Sequence, residues 1–330
     1  MVNRISATII FLIFGLFSEL VPSSDYPQKV LVRVPNAQHL FGISVAPSGN
    51  SILLYSSPHK PDGEVSSGTA VLVRVSSASV AEPLKVPEAL DDLAAPVWDS
   101  DGKKAYFLTE AGIYSFDASK RVSRLIVRGT LAGLALSPDG SKLAFWDLGT
   151  AGSNYVLTIY DVRSNGKIHD WKTPVQFDGD QYGHEIEFST DGAALFARTY
   201  DTEGQTPLKR FEVEGGKIQT ISEDCVGLAA SRSDIYFIRS DQETAGLFRL
   251  GPGSLSPEKV LAPFDFDSLM SSGTKRWIVA MNNRGKRIAI YDTETRTLAS
   301  VGAGCEDAAT LVSGEVVCSR GGELFVQPSR

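Results

Sequence analysis

A hairpin pattern recurs along this chain of 330 residues and limits its folds more than any other feature. A short apolar run meets a Gly-containing turn, and a second apolar run follows. Ile43–Ala46 leads through Pro47-Ser48-Gly49-Asn50 to Ile52–Tyr55, and Val97-Trp98 leads through Ser100-Asp101-Gly102 to Ala105–Leu108. Leu134–Leu136 leads through Ser137-Pro138-Asp139-Gly140 to Leu143–Trp146. Ile186–Phe188 leads through Thr190-Asp191-Gly192 to Leu195–Ala197. Runs this short, bounded by turn residues, are strands in hairpins.

The turn positions fall at Gly49, Gly102, Gly140, Gly192, Ser233, Gly273 and Gly314, in steps of 53, 38, 52, 41, 40 and 41 residues. The fifth unit has lost its Asp-Gly, yet Ser233 stands where the period requires a turn. The two long steps are absorbed by loops at His59–Gly68 and Gly149–Tyr155. Each unit also carries a later strand with an aromatic or apolar pair, such as Ile113-Tyr114, Leu247-Phe248 and Leu324-Phe325. A period near 40–45 with several strands per unit predicts an all-β fold, a β-propeller of seven four-stranded blades. No blade can bury both apolar faces alone, so the ring is the folding unit. The last unit supplies three strands only. Lys29–Val34 is a spare strand, expected to complete the last blade and close the ring.

Ahead of that strand, Arg4 precedes the apolar run Ile5–Phe17, and Val21-Pro22-Ser23-Ser24 follows. A basic start, about a dozen apolar residues and a small-residue exit describe a signal peptide over 1–24, with the propeller over 25–330. The run is short of the roughly 20 residues that span a bilayer, though an uncleaved anchor is the alternative. The mature chain is expected to be secreted or periplasmic, with no membrane span after cleavage. The 32 Lys and Arg against 39 Asp and Glu leave a net charge of −7, which argues against a nucleic-acid partner.

Leu134-Ala135-Leu136-Ser137-Pro138-Asp139-Gly140-Ser141-Lys142-Leu143-Ala144-Phe145 resembles the WD-like repeat of TolB-type propellers, which also builds the propellers of prolyl oligopeptidase relatives. The likeness is fair around Gly49, Gly102 and Gly192 and weak after Ser233. It implies the fold rather than a function, because the motif serves the turn: Pro presets φ, and Asp and Gly tolerate the dihedrals. The sequence holds neither the extra N-terminal domain of TolB nor the Gly-x-Ser-x-Gly elbow of the peptidases, so the resemblance implies a lone propeller.

In a propeller the first strand of each blade lines the channel, entered from loops on one face. Eight residues before each turn stand Phe41, Ala94, Ala132, His184, Cys225, Asp265 and Glu306. The last four are metal-ligand types on consecutive blades. Asp91, Asp92, Asp178, Asp180, Glu185, Glu223, Asp224, Asp267 and Asp307 lie in the same loops, with Arg128 as a basic exception. These residues are read as an acidic funnel at the channel mouth, drawing a cation or a basic peptide segment by its field. The alternative is that they are solvated loop acids.

Three functions stay open. A non-catalytic module would bind a protein or peptide partner through His184, Glu185, Asp224, Asp265, Asp267, Glu306 and Asp307. A metal-dependent hydrolase of lactonase type would place a divalent cation on Asp265, Glu306 and His184. A structural scaffold needs neither. No cofactor is indicated beyond that cation, and no triad spacing or phosphate-binding glycine loop stands out. Hairpin register sets Cys318 opposite about Ala309, leaving Cys305 four residues along the strand and beyond bridging distance. All three cysteines are therefore expected as free, buried thiols. His39, His59 and His169 are expected to be ordinary surface histidines, and Trp98, Trp146, Trp171 and Trp277 to pack blade against blade.

Overall fold

In the computed structural model the described residues are 29–58, 69–75, 80–84, 94–149, 155–172, 185–199, 205–241, 244–262, 264–282 and 287–327. They form seven four-stranded antiparallel sheets. Blades 1 to 6 span 39–83, 97–128, 131–172, 186–222, 227–261 and 268–303. Blade 7 combines 308–327 with the N-terminal strand Lys29–Arg33, which pairs antiparallel with Glu323–Gln327. The spare strand therefore closes the ring. The expected signal peptide and the loop at 59–68 lie outside the described residues.

Apolar residues on both faces of each sheet pack against the two neighbouring blades. Phe107 and Tyr114 of blade 2 meet Tyr55 and Leu72 of blade 1, and Phe237 and Phe248 of blade 5 meet Phe196 and Leu208 of blade 4. The tryptophans join this packing. Trp98 Nε1 donates to Ser44 O of blade 1 at 3.2 Å, and Trp171 Nε1 donates to Gly216 O of blade 4 at 3.1 Å. Trp146 is buried between blades 3 and 4, and Trp277 packs into the core of blades 6 and 7. His169 lies on an outer strand with its ring edge-on to Trp171.

The first hairpin turns explain the recurring motif. Asp139 accepts Ser137 Oγ–H at 2.6 Å and the Ser141 N–H at 3.1 Å, while Gly140 takes φ +68°. A side chain would strain that backbone. In blade 6 the left-handed position falls two residues after Gly273, on Lys275 at φ +55°. Blade 5 has a shorter turn. Ser231 N–H closes on Asp234 O, where blade 4 closes Ser189 on Ala194. Beside it, a cleft of about 40 Å³ lies between blades 4 and 5, lined by Asp191, Phe196, Arg210, Asp234 and Pro252.

The cysteine expectation is corrected. Cys305 and Cys318 form a disulfide with Cα atoms 5.4 Å apart, and only Cys225 is a free, buried thiol. Cys318 pairs with Ala308, one residue off the expected register. The main reason is that the chain before Ala308 does not run on as a straight strand. Gly304 turns at φ +97°, Glu306 N–H bonds Ser319 O, and Ser319 N–H bonds Asp307 O. That fold-back returns Cys305 to its partner.

Candidate functional site

The loops entering the inner strands and the ends of the second strands share one face, the mouth. Of the candidate residues, His184 lies outside the described residues, as do Asp91, Asp92, Asp178, Asp180 and His59. The others come from blades 4 to 7, and most are engaged by donors of the protein itself.

Glu185 enters blade 4. Its Oε2 is buried without a hydrogen bond and lies 3.8 Å from Arg198 Nη1. Burial pushes its carboxyl up to about 7, with Arg198 and the Leu228 amide pulling the other way. Cys225 lies beside them, fully buried, with Sγ 3.5 Å from Gly227 O. Burial, with the neighbouring Glu185 charge, raises its thiol far above the usual range. Such a thiol is inert.

Asp224 accepts the N–H groups of Ser240 at 2.6 Å and Asp241 at 3.1 Å, so it caps the mouth loop of blade 5. Asp265 pairs with Arg287 and accepts Asn282 Nδ2 at 3.3 Å, although its side chain is 77% exposed. The backbone N–H of Asp267 bonds Met281 O. Glu306 Oε2 meets His39 Nδ1 at 3.2 Å and accepts Gly321 N–H at 2.9 Å. Asp307 is buried, accepting Ile43 N–H at 3.0 Å and Ala308 N–H at 2.7 Å. Its role is to hold blade 7 to blade 1. Among the described residues no three His, Cys, Asp or Glu side chains group closely enough to hold a metal ion.

Counting back from the turns overlooked two sets of residues. The second strands of blades 4, 5 and 7 end at the mouth in Arg198, Arg239 and Arg320. They place three cations among the acids, with Arg198 beside Glu185. The other overlooked residue is Glu187 on the inner strand of blade 4. The residues two before each turn's first hydrogen-bonded N–H are Ser44, Val97, Ala135, Glu187, Ala229, Met270 and Ala309, and Glu187 is the sole charge among them. That contrast was available in the sequence.

Glu187 belongs to a bridge near the opposite end of the channel. Ser271 of blade 6 donates its hydroxyl to Glu187 Oε1 at 2.6 Å and accepts Ala230 N–H of blade 5 at 2.8 Å. The next turn runs the other way. A Cβ added to Gly273 would lie 2.3 Å from Val45 O of blade 1. Blade 6 thus reaches blades 4 and 1 over both intervening neighbours, and its turn bridges the axis.

These features define a seven-bladed β-propeller with a charged mouth and a bridged far end. The sequence matches no family model and no curated protein. Solved structures share the fold. An oligogalacturonate lyase from Vibrio parahaemolyticus superposes with a TM-score of 0.67 at 12% identity, covering 92% of this chain and 95% of that one. An oligogalacturonate lyase in complex with manganese gives 0.66 at 9% identity, over 89% and 90%. TolB from Acinetobacter baumannii gives 0.52 at 15% identity, over 86% of this chain and 65% of that one. At these identities the likeness is one of fold, as the repeat predicted. Among the described residues no helix is long and apolar enough to cross a membrane.

Proposed function

We propose that this propeller is a secreted or periplasmic, non-catalytic module that binds a protein or peptide segment at its mouth. The observation that carries the reading is the asymmetry of the ring. The blade 6 turn bridges one end of the axis, while charged side chains of blades 4 to 7 gather at the other. Asp265, exposed beside Arg287, and Glu306, beside His39, are offered to basic groups of the partner. Glu185, Asp224, Asp267 and Asp307 shape the loops around them, and His184, the residue before Glu185 in sequence, is counted with them. Fold alone does not set function, so the reading rests on the mouth.

Native mass spectrometry of the protein isolated from its own compartment tests it, and the intact mass also locates signal cleavage. A retained peptide or protein, lost on Asp265→Asn or Glu306→Gln, is the expected result. No retained partner, together with silent mouth substitutions in the cell, overturns it.

A second reading, a metal-dependent hydrolase using Asp265, Glu306 and His184, is favoured by the manganese-bearing lyase that shares the fold. Asp265 and Glu306 enter different blades and are held by separate partners, so the described residues alone do not assemble that site. A divalent ion in the same spectrum, lost on substituting either acid, would favour it.

A further inference from the structure

The last residue of the second strand reaches the mouth in every blade, and its identity splits the ring. It is Ser57, Thr109 and Asp147 in blades 1 to 3, but Arg198, Arg239, Asn282 and Arg320 in blades 4 to 7. Two of these are committed internally. Arg198 donates to Val226 O at 3.0 Å beside Glu185, and Asn282 donates to Asp265 O at 2.8 Å.

Arg239 and Arg320 are held differently, and alike. Arg239 Nε donates to Ser222 Oγ at 2.9 Å, and its guanidinium lies 4.5 Å from the Phe248 ring centroid. Arg320 Nε donates to Gly304 O at 2.9 Å, with its guanidinium 5.2 Å from Phe325. Phe248 and Phe325 end the Leu-Phe pairs of the third strands, so one device recurs in blades 5 and 7. Among the described residues neither arginine forms a salt bridge, although the carboxyl of nearby Asp241, lowered first by its Thr244 hydrogen bonds, is lowered further by the Arg239 charge. Arg320 is exposed and Arg239 half-buried.

A guanidinium anchored at Nε and stacked on a ring keeps its terminal N–H groups in a fixed plane. That is the geometry for bidentate recognition of a carboxylate, with little ordering entropy left to lose. Blade 6, between them, shows such a pair completed within the protein. Arg287 lies over Phe266 and is paired with Asp265.

We infer that Arg239 and Arg320 receive two carboxylates from an acidic segment of a peptide partner lying across the mouth of blades 5 to 7. The inference rests on the reading of the mouth as a peptide-binding face and adds the sign of the contact on this side. Packed sheets stand about 10 Å apart, so the two arginines are about 20 Å apart. Eight extended residues reach about 26 Å and span that distance.

Fluorescence anisotropy of the full chain with labelled octaglutamate and octalysine tests the inference. Octaglutamate binds, and Arg239→Gln or Arg320→Gln each weakens it by about tenfold, the loss of one charged hydrogen-bonded pair. Arg239→Lys and Arg320→Lys keep charge and packing but lose the planar fork, and also weaken binding. Arg163→Gln, an exposed arginine in the turn after the third strand of blade 3, at the other end of the ring, leaves it unchanged. Octaglutamate binding equal in all variants overturns the inference, as does no binding. If octalysine alone binds and Asp265→Asn abolishes that binding, the peptide-binding mouth stands and this inference falls. If neither peptide binds, both fall.

Discussion

Asp307 and Ile43 are joined across the seam where the ring closes: the buried carboxylate takes the backbone N–H of Ile43 on one oxygen and that of Ala308 on the other. No cation assists. An amide has one accepting oxygen, and its NH₂ would oppose the second N–H. Asp307→Asn is expected to cost about 2 kcal/mol, from the unsatisfied buried donor. Urea denaturation at neutral pH measures it, and an unchanged midpoint would show that the seam does not depend on this residue.

The Cys305–Cys318 disulfide fastens the segment that carries both Glu306 and Asp307. It closes a loop of 13 residues in sequence separation. In the chain-entropy picture such a crosslink is worth about 3 kcal/mol. Calorimetry of a Cys305→Ser/Cys318→Ser double variant should show a lower Tm, while Cys225→Ser alone does not remove a crosslink. A wild-type melt indifferent to strong reductant would contradict the pairing.

Glu185 gives stability a pH dependence of a particular sign. Its folded carboxyl sits at about 7 against 4.5 for the ordinary group, because burial disfavours the charge. The folded state therefore holds more protons than the unfolded state between those values. Its contribution is fully present below about pH 4.5 and is lost as pH rises to about 7, on the order of 3 kcal/mol. Glu185→Gln should flatten that part of the stability profile, measured by denaturant midpoints from pH 5 to 8. A profile of unchanged slope rules the assignment out.

Gly273 touches blade 1 closely enough that an added methyl group must displace backbone. Its φ lies outside the left-handed region, so the cost of Gly273→Ala is steric alone. We expect a loss of about 1–3 kcal/mol, typical of overpacking, read as a lowered thermal midpoint. A silent substitution would mean that the turn does not bridge the axis.

The architecture was legible because turns repeat at the blade period and apolar strands lie between them. The closing strand was legible as an unpaired remainder. The disulfide was hidden by an assumption of straight strands: Gly304 and the fold-back at Glu306–Asp307 are local backbone events that no periodicity announces. The mouth was half legible. Asp265 and Glu306 stand eight residues before their turns, and Arg198, Arg239 and Arg320 each stand six residues after Gly192, Ser233 and Gly314, a spacing that a count made only backwards from the turns passes over. That Arg198 alone of the three lies beside a mouth acid, Glu185, while Arg239 and Arg320 settle on rings is a tertiary outcome. The bridge from Ser271 to Glu187 joins blades 84 residues apart in sequence and has no local signature beyond the odd charge at position 187.

The span from Val45 through Gly273 and Ser271 to Glu187 works as a clasp: it ties blades 1, 4, 5 and 6 at one end of the ring, so a substitution in the blade 6 turn is felt in blades that are not its neighbours.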